Sequence, residues 1–156
     1  MSNGSFVTNL IKGRITETIF HQMFQEATTF TIIPLGYENI IPELAQYQHK
    51  VKNPTTLNNL RNVPDFLLIS KDKDEVHLVE VKYRKSFTGE QITKEADEIN
   101  QKWDNVYLFV ATNDTFYFDK CANIVKKSGR INTLDSLIIQ EGIQKKYLSC
   151  LNEFLR

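Results

Sequence analysis

Two apolar runs flank a short, strongly charged stretch near the middle of the chain, and this arrangement restricts the fold more than any other feature. The first run is Phe66-Leu67-Leu68-Ile69, and the second is Val76-His77-Leu78-Val79-Glu80-Val81-Lys82-Tyr83. Between them lies Ser70-Lys71-Asp72-Lys73-Asp74. Apolar, β-branched and aromatic residues on either side of a polar break predict two antiparallel strands joined by a turn. Side chains alternate between the faces of a strand. Glu80 and Lys82 then share one face, and Val79 and Val81 take the other. Folding at the charged turn returns Asp65, which follows Pro64 and opens the first strand, toward Glu80. Two carboxylates converging with an ammonium provide the donor chemistry for a hard divalent cation and a water beside it.

The rest of the chain suits an α/β domain. Ile15, Ile19, Met23 with Phe20, Phe24 and Ala27 form an apolar stripe at helical spacing. This predicts a first helix from about Thr8 or Gly13 to about Ala27, with residues 1–9 as a flexible start. Phe30 to Leu35 reads as a strand that Pro34 ends or places at an edge. Residues 42–62 carry Pro42, Pro54 and several asparagines, which argue against a long helix. Ile92, Ala96, Ile99 and Trp103 mark one face of a helix from about Glu90 to about Trp103. Val106 to Ala111 is continuously apolar, as a strand covered on both faces is. Phe116-Tyr117-Phe118 reads as a further short strand, and Leu137 to Arg156 as a closing helix. A hairpin followed by a helix and a buried strand predicts a mixed sheet with helices on both sides.

Composition narrows the function classes. The 156 residues fit one domain over residues 1–156, and 41% hydrophobic with 24% charged residues is ordinary for a globular chain. The N-terminus has no basic region before an apolar one, so a cytoplasmic location without a membrane partner is expected. Cys121 and Cys150 lack metal-type spacing with histidine and read as free thiols. Nineteen basic residues balance nineteen acidic ones, which disfavours a tight nonspecific DNA binder. Residues 120–156 nevertheless carry seven basic and three acidic residues.

Pro64-Asp65, followed by Glu80-Val81-Lys82 at the end of the hairpin partner and preceded by a helix bearing Glu17, resembles the signature of the PD-(D/E)XK nuclease superfamily. The likeness runs from about residue 13 to about residue 112. It implies a restriction-endonuclease-like core, with a mixed β-sheet flanked by helices. It also implies an endonuclease dependent on Mg²⁺ or Mn²⁺, acting on nucleic acid, with DNA as the expected substrate. Asp65, Glu80 and the main-chain carbonyl of Val81 would then hold the metal. Lys82 would position the attacking water, and Glu17 would assist through a second metal or a water. Family behaviour implies products with 5′-phosphate and 3′-hydroxyl ends. Arg14, Arg84 and Lys85 are the expected contacts to nucleic acid, with Tyr83 beside them. Gln91 and Lys94 resemble polar positions that many relatives use in the following helix.

Each residue has a plainer explanation. Glu80 and Lys82 suit a structural ion pair, Asp65 suits a strand end, and Glu17 suits a solvated helix surface. Two further functions stay open at this point. One is a weakly active or inactive subunit of the same fold that binds nucleic acid or another protein. The other is a component of a larger DNA-processing complex. Symmetric cleavage of two strands would call for a homodimer.

Overall fold

The apolar stripe of the first helix organises one side of the molecule in the computed structural model, which describes residues 3–36 and 62–155. Helix α1 spans Asn3–Ala27. Its Ile19, Phe20, Met23 and Phe24 are buried against Phe66, Leu68, Val79 and Val81 of the central hairpin. The helix begins earlier than its stripe implies. Residues 3–9 were expected to be a flexible start, but they are helical. Phe6, Val7, Leu10 and Ile11 lie on this extension and are exposed, so burial contributes no periodic signal there.

The sheet follows the chain. Strand β1 is Phe30–Pro34, β2 is Phe66–Ser70, β3 is Val76–Tyr83, β4 is Val106–Ala111 and β5 is Phe116–Lys120. Their spatial order equals their sequence order. All neighbours are antiparallel except β3 and β4, which run parallel. A parallel pair needs a crossover, and helix α2, Gly89–Lys102, supplies it. The predicted hairpin is therefore β2–β3, with Phe66 opposite Val79. Its turn is fixed by Ser70, whose hydroxyl donates to Asp74 Oδ1 and accepts from the Glu75 N–H.

The opposite face of the sheet is covered by α2 and a short helix α3, Cys121–Lys126. Ile92 and Ala96 of α2 are buried with Val106, Leu108, Val110, Cys121 and Ile124. β4 is thus covered on both sides, as its unbroken apolar sequence requires. Helix α4, Glu141–Phe154, returns to the α1 side, where Leu151 is buried. It is shorter than the Leu137–Arg156 helix read from sequence. Asp135 accepts the N–H groups of Leu137, Ile138 and Ile139 in a preceding turn. That local bonding holds residues 137–139 outside the helix. Helix α3 had no counterpart in the sequence reading, since six residues are too few to display a helical period. The irregular stretch expected over 42–62 lies outside the described residues apart from Asn62.

Two glycines set the closeness of α2 to α3. Gly129 has φ of +92° and donates its N–H to the Ile124 carbonyl, closing the end of α3. A Cβ at Gly129 would stand 2.1 Å from the carbonyl oxygen of Gly89, the first residue of α2. The approach requires a residue without a side chain at 129, while a Cβ at Gly89 would stand a tight 3.1 Å from the Ser128 carbonyl oxygen.

Candidate active site

Past the Phe66–Val79 pair, the β2–β3 ladder is continued by a side chain. The Val81 N–H donates to Asp65 Oδ2 at 2.8 Å, a bond that a strand partner's carbonyl ordinarily accepts. The Asp65 carbonyl instead accepts the N–H groups of Leu35 and Gly36 beyond β1. Asp65 is therefore held from both sides, and it continues the register to a place opposite Glu80. Phe66 and Leu68 point into the α1 cluster, as do Val79 and Val81. By alternation, Asp65, Glu80 and Lys82 project from the other face at the end of the hairpin.

Glu80 and Lys82 form an ion pair, Oε1 to Nζ at 3.2 Å, with side chains 20% and 33% exposed. The pair anticipated as the plain explanation is thus present. It does not neutralise the site. Burial pushes the Asp65 carboxyl from an ordinary value of 3.8 up to about 8, and the charges of Glu80 and Glu17 add to the rise. The Val81 N–H and Lys82 oppose it. Burial also raises the Glu80 carboxyl, against the pull of Lys82 and with a further push from Glu95. Lys82 lowers both carboxyls, but burial outweighs it, because these surroundings penalise charge.

Glu17 borders the same two clefts as Asp65, Glu80 and Lys82, so four residues singled out in the sequence come together. Among the described residues, no three His, Cys, Asp or Glu side chains are gathered closely enough to hold a metal ion. Glu17 is accordingly not drawn into a ligand set with Asp65 and Glu80. The oxygen chemistry of those two still suits Mg²⁺. This ion is commonly held by one or two carboxylates and keeps several of its waters.

The residues expected to contact nucleic acid divide. Arg14 and Lys85 are exposed at the clefts. Arg84 borders one cleft but turns toward α2, where its Nε donates to Glu95 Oε1 at 3.1 Å and its Nη1 to the Tyr83 carbonyl. Gln91 is engaged in capping α2: its side chain accepts the Thr88 N–H while the Thr88 hydroxyl accepts the Gln91 N–H. Lys94 is exposed. Glu95 was read only as part of an acidic helix surface. Its Oε2 is buried with no hydrogen-bond partner among the described residues, and its charge bears on Glu80. The available signal was its position between Ile92 and Ala96, at the border of the apolar stripe. Cys121 is buried, Cys150 is half-buried, and both thiols are free.

The chain matches no protein-family model and no curated protein sequence. No helix among the described residues is long and apolar enough to cross a membrane.

Proposed function

We propose that the protein is a divalent-metal-dependent nuclease of the PD-(D/E)XK type, with a restriction-endonuclease-like core, that hydrolyses phosphodiester bonds in DNA. One observation carries the reading. Asp65 and Glu80 are brought to one site by the hairpin, with Lys82 beside them, and burial, with the charges of Glu80 and Glu17, raises the Asp65 carboxyl to about 8. A buried excess of carboxylate is costly unless it serves to bind a cation. Supporting features are the five-stranded mixed sheet between helices and the position of Glu17 on the same clefts.

Asp65 Oδ2 accepts the Val81 N–H, and the carboxylate keeps lone pairs with which it would hold a cation. Glu80 and the Val81 carbonyl complete the protein's share of the ligands. When bound, Mg²⁺ or Mn²⁺ supplies a water of lowered pKa and polarises the scissile phosphate. Lys82 holds the attacking water and offsets charge that accumulates on the phosphoryl oxygens. Its present partner, Glu80, keeps its ammonium at the site. Glu17 would assist from α1, through a second metal or a water.

Cleavage assays on single-stranded, duplex and branched DNA and on RNA, with and without Mg²⁺ and Mn²⁺, test the proposal. Lys82→Ala is expected to retain metal-dependent thermal stabilisation and lose about 10²–10³-fold in rate, as for loss of one preorganised charge-stabilising group. Asp65→Ala is expected to lose both together. A Lys82→Ala protein that cuts at the unmodified rate, or an unmodified protein that cuts none of these substrates, would overturn the mechanism.

A further inference from the structure

Two clefts meet at the acidic pair, of about 370 and about 510 Å³. Both are bordered by Glu17, Asp65, Glu80 and Lys82. Beyond these shared residues their walls differ. The first adds Trp103, Arg14 and Lys102, with Glu98 as its further acid. The second adds Lys12, Arg84 and Lys85, and no further acid. Trp103 thus borders one cleft and the Lys12–Tyr83 pair the other, with cations in both.

Both surfaces are held in place. Trp103 is half-buried against the α2–β4 cluster, and its indole Nε1–H donates to the Asn62 carbonyl at 3.0 Å. The ring edge is fixed while the residue still borders the cleft. Lys12 lies over the Tyr83 ring, with Nζ 5.7 Å from its centroid, and the Tyr83 hydroxyl donates to Asn113 Oδ1. A cation held over an anchored ring is a pre-positioned phosphate contact.

We propose that the two clefts form one groove for a single strand of nucleic acid, an inference that rests on the acidic pair being the nuclease centre. A base stacks on Trp103, the adjoining phosphate crosses Asp65 and Glu80, and the next phosphates meet Lys12 and Lys85. Stacking on a side chain requires an unpaired base with a free π face, which a duplex interior does not offer. The neutral net charge suits a few phosphate contacts aided by stacking better than a broad duplex face.

Trp103 is the one tryptophan in the chain, so its fluorescence reports the groove directly. The whole protein is titrated in Ca²⁺, which takes the same oxygen ligands as Mg²⁺, with oligo-dT, with oligo-U and with a duplex of equal length. Quenching by either single strand but not by the duplex is expected, with log K falling against log salt at a slope of about −1.4, the value for about two contacts on a single strand. By anisotropy of a labelled strand, Trp103→Ala should weaken binding about 5- to 100-fold. Trp103→Phe should restore most of it, and Lys12→Ala should lower the salt slope. Equal quenching by the duplex, or single-strand binding that leaves Trp103 fluorescence unchanged, overturns the groove. The outcomes separate from those of the nuclease reading. Metal-dependent cutting of duplex without quenching sinks the groove alone, while quenching without cutting of any substrate sinks the assignment of the acids.

Discussion

Asp65 has two duties that conflict electrostatically. As acceptor of the Val81 N–H it finishes a strand ladder, and as a carboxylate beside Glu80 and Glu17 it resists ionising. Its carboxyl is raised from 3.8 in an ordinary setting to about 8 in the fold. The folded chain therefore holds that proton more tightly than the unfolded chain does. The linked stability is fully present below about pH 4 and is lost as pH rises through about 8. Glu80, raised by burial as well, acts in the same direction. Without divalent cations the stability of Asp65→Asn should thus fall less between pH 4 and 8 than that of the unmodified protein, as followed by denaturant unfolding across that range. Parallel pH profiles for the two would show that Asp65 ionises normally. Of this residue the sequence disclosed the place but not the charge state. Alternation and a hairpin turn locate Asp65 opposite Glu80, whereas the rise depends on burial in the assembled fold, which no local pattern encodes.

At the scale of elements, α2 connects the parallel strands, covers β4 and brings Glu95 against Glu80. Its start is specified by a capping box between Thr88 and Gln91, in which each side chain satisfies the other's main-chain N–H. Thr88→Ala should cost about 1 kcal/mol of stability, measurable as a lower denaturant midpoint with unchanged slope. A larger change in slope would indicate that the helix start orders more of the fold than its own first turn. The apolar face of α2 was legible because Ile92, Ala96, Ile99 and Trp103 repeat at helical spacing along an otherwise polar segment. The partnership of Arg84 with Glu95 was not. Nothing in a loop arginine and a helix glutamate eleven residues apart distinguishes a pair in contact from two solvated charges. The structure pairs Arg84 with Glu95 while leaving it at the border of a cleft. The extension of α1 to Asn3 was hidden for the opposite reason. Phe6, Val7, Leu10 and Ile11 have apolar side chains that stay largely exposed among the described residues.

Across the whole molecule, one hydrophobic cluster lies on each side of the sheet, and the candidate site sits where β2 and β3 part company. The α1 side is rich in aromatic rings, with the Phe20 centroid 4.9 Å from Phe109 and 5.0 Å from Phe66. The α2 side is built of smaller aliphatic residues. The sequence conveyed this layering through period: 3.6 for α1 and α2, alternation for β3, and unbroken apolarity for β4. It conveyed nothing of the bare contact between Gly89 and Gly129. Gly129→Ala has no room for its methyl group against the Gly89 carbonyl and places alanine at a positive φ. The start of α2 must move aside, and with it the helix that carries Glu95 and leads into Trp103. Residue 129 borders neither cleft and lies 47 positions beyond Lys82 by their numbers. In a saturation library screened only for strand cutting, it should nonetheless rank with Asp65 and Glu80. Reading cellular abundance from the same library would separate them: substitutions at 129 should deplete the protein itself, whereas Asp65→Asn should leave it plentiful and silent.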